Sequence, residues 1–242
     1  TMIARPKAKS EQPSYPLKKI YKLALPITIF SGLITLFMNV DLLMVQALLN
    51  NPQATGHYTA ASAVARIPYF VLTALAALVL PAVAGKLMVS AREAQGFVKE
   101  ALRYVLILLL PATAVFAATA KPLVMLLYRS EYAQAAGPTA ILAVGTAALT
   151  LAYLLATVIN ASGKTIVTVA VAAAMLIISV LANLAVIPQY GLKGAALVVM
   201  STSLAAVAVL AAIAYKKIGN FVSYRSLIKI LVSTAVIFAV AN

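Results

Sequence analysis

Six apolar runs, each about 20 residues or longer, dominate this chain, and that is the length a helix needs to cross about 30 Å of hydrocarbon. They fall at 24–49, 60–85, 101–119, 138–160, 165–187 and 194–215. A seventh starts near Leu227 and stops at Asn242, about 24 Å of helix and short for a bilayer. Of the 242 residues 64% are apolar and only 10% charged. A soluble domain carries about 25% charged residues, so this chain lacks the polar surface to cover a globule in water. Inside hydrocarbon each backbone N–H and C=O must be paired within the segment, which selects helices. The expected fold is all-α, a polytopic transmembrane helix bundle with six complete spans and a truncated seventh. Residues 1–19, polar and holding Pro6, Pro13 and Pro16, read as a linker, and 20–242 as the membrane unit. The opening Thr-Met-Ile-Ala-Arg and the short last run read as those of a fragment.

The net charge is +14. In a soluble protein that would point to nucleic acid, but here the basic residues separate by side. Arg5, Lys7, Lys9, Lys18, Lys19 and Lys22 precede the first run. Lys86, Arg92, Lys99 and Arg103 follow the second, Lys164 the fourth, and Lys216, Lys217, Arg225 and Lys229 the sixth. The alternate connections hold only Lys121, Arg129 and Lys193. Basic residues stay on the cytoplasmic side and meet anionic lipid there. The expected location is therefore the inner (cytoplasmic) membrane with a cytoplasmic N-terminal tail, membrane lipids as partners and no nucleic acid. Tyr21, Tyr58, Tyr104, Tyr128, Tyr132, Tyr190, Tyr215 and Tyr224 lie near expected span ends, where an aromatic ring sits at the interface.

Prolines Pro68, Pro81 and Pro111 fall inside spans and are expected to kink or break them. Residues 120–136 hold an apolar run too short to span. They read as a short helix at the outer interface with Lys121, Arg129 and Glu131 toward water.

Two ionisable residues lie within spans. Asp41 is expected about 12 Å from the outer end of the first span and Arg66 about 9 Å from that of the second. The two spans are consecutive, so the charges fall at one level. A buried charge costs roughly 2.5–3.5 kcal/mol at mid-bilayer and belongs on a bundle interior or a wet cavity. One reading makes Arg66 a phosphate ligand, since a guanidinium donates two parallel hydrogen bonds, with Asp41 tuning it or binding a coupling cation. The other makes them a structural ion pair locking the two spans. Asn39, Asn160 and Asn183 either line a cavity or hydrogen-bond across helices. No catalytic constellation or Gly-rich phosphate loop occurs, so no enzyme activity is expected. The absence of Cys and the single His57 leave no multi-ligand metal site, and no cofactor is expected.

Three stretches resemble the C-terminal half of polysaccharide-biosynthesis flippases of the multidrug/oligosaccharidyl-lipid/polysaccharide exporter superfamily. The first is Asp41-Leu-Leu-Met-Val, then Gly56-His-Tyr58-Thr-Ala-Ala61 and the helix with Arg66. The second is Pro122 to Leu126-Leu-Tyr128, then Glu131-Tyr132 and Ala135-Ala136. The third is Asn183, Ile187-Pro188-Gln-Tyr190-Gly191 and Gly194-Ala-Ala196. Such proteins often carry glycine after the residue matching Tyr128, where this chain has Arg129-Ser130, which leaves the local turn open. The resemblance implies the second lobe of a two-lobed transporter, with the N-terminal lobe of the same protein as a partner. It implies flipping of an undecaprenyl-pyrophosphate-linked oligosaccharide from inner to outer leaflet, near a glycan polymerase or glycosyltransferases. Arg66, Asn39 and Asn183 are then the substrate-binding candidates and Asp41 the ion-coupling one. The competing expectations are an ion-coupled multidrug antiporter of the same superfamily, a membrane-embedded glycan ligase or polymerase, and a non-transporting scaffold.

Overall fold

The computed structural model describes residues 17–70, 73, 81–86 and 90–218. All regular structure among them is helical. Helix α1 covers Leu17–Leu49, α2 Pro52–Ala65, α3 Ala91–Ala118 and α4 Ala120–Tyr128. A 3-10 turn at Ser130–Ala135 leads into α5, Ala136–Ala161, and α6 covers Thr165–Ile218. Among the described residues four stretches are long and apolar enough to cross a membrane: Ala24–Leu49, Arg92–Ala118, Ser130–Ala161 and Thr165–Lys216.

The last of these is not straight. Gly191 adopts φ 56°, ψ −138°, a conformation open to glycine at little cost, and α6 bends there into two limbs. Their antiparallel course shows in a groove lined by Val171, Met175 and Ile178 from one limb and Thr202, Ala206 and Val209 from the other. Each limb alone is about 39 Å long, and the two coincide with the fifth and sixth expected spans. The second expected span runs into residues 71–80, mostly outside the described part. The run from Leu227, Tyr224, and the linker up to residue 16 also lie outside it.

Helix α5 is the centre of the bundle, its apolar segment largely buried. It packs against α6, α3 and α2, and α1 lies along α6. Such a helix is apolar all round because it is enclosed by protein. Gly145 lets the second limb come close: a Cβ there would stand 3.1 Å from the Met200 backbone. Small residues at crossings bring membrane helices into van der Waals contact.

The core divides into two apolar clusters along the helix axes. One joins Phe30, Ile34 and Phe37 of α1 to Val98 and Leu102 of α3, Leu155 and Ile159 of α5, and Ala172 and Leu210 of α6. The other joins Val45, Tyr58 and Val64 to Val124, Leu142, Ile187 and Ala196. The starts of α1, α3 and the first limb therefore share one end of the bundle with the finishes of α5 and the second limb. Arg92, Lys99, Arg103, Lys164 and Lys216 belong to that end, and Lys121, Arg129 and Lys193 to the other. The separation of basic residues read along the chain is thus a separation in space.

Local expectations meet three corrections. The outer connection after α1 is not a loop over 50–59 but two residues, Asn50 and Asn51. The Asn51 side chain accepts from the Gln53 and Ala54 N–H groups at 3.0 and 3.2 Å, and Pro52 takes the first helical position, where its missing N–H costs nothing. The helix is broken near Pro68, as expected, but the break falls at Arg66, the C-cap of α2, with helix resuming over 67–70. Tyr58 is not an interfacial ring: it is fully buried. Residues 120–136 form the expected short helix, about 13 Å of α4, and Lys121, Arg129 and Glu131 are exposed.

Candidate functional site

Between the two apolar clusters lies a polar node. On α1 the buried positions are Phe30, Ile34, Phe37, Asp41 and Val45, a stripe of three- and four-residue steps that faces the bundle. Asp41 occupies it, so its carboxylate points inward. The Tyr58 hydroxyl donates to Asp41 Oδ2 at 2.7 Å. Residue 58 lies opposite residue 41 because the α1–α2 turn is so short.

Arg66 enters deeper than expected. Counted from Pro52 it is about 21 Å down its helix, not 9 Å. Its guanidinium turns back to α1, donating to the Met38 carbonyl and standing 3.8 Å from Asp41 Oδ1. This is the one ion pair among the described residues. The pair is asymmetric: the Asp41 side chain is 2% exposed and that of Arg66 18%. A third contact supports the broken helix, since the Thr146 hydroxyl of α5 donates to the Ala65 carbonyl at 2.8 Å. A helix end leaves carbonyls without intrahelical partners, and a hydroxyl from a neighbouring helix is how membrane proteins satisfy them.

A cavity of about 10 Å³ opens beside the pair, lined by Met38, Asp41, Ser62, Arg66, Thr146 and Val199 among others. That is about the space of one water, which needs roughly 10–15 Å³. Asp41 Oδ1 and Ser62 Oγ, both buried, have no hydrogen-bond partner, so the cavity has polar groups to hold that occupant. A pyrophosphate does not fit there in this conformation.

The asparagines are not gathered at the node. Asn39 is exposed on the opposite face of α1 and donates to the Thr35 carbonyl at 2.7 Å. Asn183 is buried on the first limb, donating to Ser179 Oγ at 3.3 Å, with Oδ1 unpartnered. Asn160 accepts from Thr168 at 2.6 Å, tying α5 to the first limb across their turn. Asp41 and Arg66 are therefore brought together, and Asn39 and Asn183 stand apart from them and from each other.

Two features escaped the sequence reading. One is Tyr58 as the ligand of Asp41. The other is a polar stripe on the outward face of α1, formed by Thr28, Thr35, Asn39 and Gln46, with Gly32 between them, all exposed. Their three-, four- and seven-residue spacing is the signal that marks one helix face. Taken singly each is an unremarkable membrane-helix residue.

A chain whose regular structure is helical among the described residues, with several helices able to span hydrocarbon and an ionisable pair between its apolar clusters, is a multi-pass membrane protein. Residues 2–137 match the family described as polysaccharide biosynthesis protein. That is more than half of the chain and includes Met38, Asp41, Tyr58, Ser62 and Arg66 of the polar node, so the chain belongs to this family. No curated protein matches it.

Proposed function

We propose that this chain is one lobe of a flippase that carries an undecaprenyl-pyrophosphate-linked oligosaccharide from the inner to the outer leaflet of the cytoplasmic membrane. The observation that supports it best is the outward face of α1. A spanning helix that turns Thr28, Thr35, Asn39 and Gln46 away from its own bundle presents a polar stripe that water or protein serves better than acyl chains, even with the Thr28, Thr35 and Asn39 donors bonded to their own helix. A second lobe, the N-terminal lobe of the same protein, meets this face across a hydrated cleft. The sugar–pyrophosphate head crosses there while the lipid tail stays in the bilayer. Membership of a polysaccharide biosynthesis family agrees with such a cargo.

In this reading Arg66 is the cation for the pyrophosphate. It is reached when the α1–α2 hairpin moves and the guanidinium leaves Met38 and Asp41, while Asn39 contacts the sugar. The bundle end bearing Arg92, Arg103, Lys164 and Lys216 faces the cytoplasm. The test separates transport from stability. Arg66→Ala in the whole protein should abolish surface glycan, but it also strips the buried Asp41 of its cation and lowers the protein level. Replacing both partners by apolar residues, Asp41→Leu with Arg66→Met, should keep the fold, because a buried pair exchanged as a unit is often neutral, yet leave export absent. Normal glycan in the double variant would make the pair structural and remove Arg66 from transport.

A second reading rests on Asp41 Oδ1 and Ser62 Oγ, buried and without a hydrogen-bond partner. A cavity with two open acceptors also suits an ion-coupled antiporter with Asp41 as the proton or cation site. Drug resistance lost in Asp41→Asn, with glycan unaffected, would favour it.

A further inference from the structure

We propose that Lys99 and Arg103 of α3 form a binding site for an anionic phospholipid headgroup. Helix α3 is about 42 Å long, some 12 Å more than the hydrocarbon needs. Its charges fall in its first half, and none occurs from Tyr104 to Ala118. The inward face is Ala94, Val98, Leu102, Val105 and Leu109, all buried, and Ser90 caps the start by accepting from the Glu93 N–H at 3.1 Å. This anchoring holds the other face outward. There Arg92, Lys99 and Arg103, all exposed, lie seven and four residues apart, within about 40° of one line at 100° per residue. Glu93 and Glu100 sit about 90° to one side of that line. None of the three cations is in an ion pair among the described residues.

The occupant follows from what continues the same face. Ile107, one turn beyond Arg103 and about 40° round from it, is 46% exposed, whereas exposed Tyr104 and Leu108 lie farther round the helix, past Glu100. Along the cation line the face therefore changes at Arg103 from cationic to apolar, with Leu106 and Leu110, both half-buried, continuing it beside Ile107, the position of the membrane interface. Lys99 is a further turn out, about 6 Å, within reach of the same phosphate because long basic side chains extend along the surface. A free polyanion would meet the cations alone. An anionic phospholipid meets them and lays its chains against Ile107 and Leu110, which continue the cation line. The inference is independent of what is transported.

The experiment is native mass spectrometry of the purified full chain released from vesicles of phosphatidylglycerol and phosphatidylcholine. Wild type should retain phosphatidylglycerol selectively. The Lys99→Gln/Arg103→Gln variant should lose about thirtyfold in that affinity, from about 1 kcal/mol per cation near the surface, while Lys99→Arg/Arg103→Lys retains it. Arg92→Gln, about 16 Å from Arg103, should change it less than twofold. Unchanged phosphatidylglycerol in the double Gln variant would overturn the site. So would an equal loss in Arg92→Gln, which would mean diffuse attraction to the whole basic end.

Discussion

Arg129 shows how one residue carries a turn that its side chain does not suit. It follows α4 with φ 72° and ψ 172°, a region of the backbone map that is nearly confined to glycine and costs about 1–3 kcal/mol for other residues. This is the position where the resemblance leads one to look for glycine. Arg129→Gly should therefore raise stability by about 1 kcal/mol, seen as a later denaturation midpoint of the detergent-solubilised protein. No change would mean that Arg129 makes compensating contacts. The same scale explains the node. Asp41 and Arg66 were legible as unusual because charges are rare in apolar runs, and their nearness followed from the consecutive helices. Tyr58 was not legible as a partner. Its hydroxyl has the same composition signal whether it sits at an interface or donates to a carboxylate, and only the two-residue turn at Asn50-Asn51 decides between them.

At the scale of elements, the close approach of α5 and the second limb of α6 rests on Gly145. Gly145→Val should lower stability by about 1–3 kcal/mol, because even its Cβ meets backbone and not a movable side-chain tip. The readout is the thermal unfolding midpoint in detergent. An unchanged midpoint would show that the two helices slide apart freely. The first, third and fourth runs, and the fifth and sixth as the two limbs of α6, were readable from apolar length alone, and the bend at Gly191 from the Pro188–Gly191 stretch between the fifth and sixth runs. The start of α2 was misplaced because its first turns, Pro52 to Thr59, are polar enough to read as a loop. The cap at Asn51 and the proline after it were the signals to weigh, since they mark a helix start regardless of polarity.

For the molecule as a whole, the two-ended distribution of basic residues makes orientation testable. The chain has no cysteine, so single replacements report cleanly. In intact cells a membrane-impermeant maleimide should label a Ser130→Cys variant, whereas a Lys164→Cys variant should react only after permeabilisation. Both positions are exposed and belong to opposite ends of the bundle. The reverse pattern would place the basic end outside and invert the proposed direction of transport.

Composition and the order of apolar runs by themselves determined that this chain is helical, lives in a membrane and divides its basic residues between two sides. Those properties are one-dimensional: they depend on how long a run is and what interrupts it. The tertiary structure decided which face of each helix looks inward, and with it that Asp41 is enclosed, Asn39 turned outward and Arg66 held by Met38 and Asp41. In water, facing is written into a helix as polar against apolar. In hydrocarbon both the packed and the lipid-facing sides are apolar, so the choice between them is made by shape, by a glycine at a crossing and by a hydroxyl in reach, which exist only once the helices have packed.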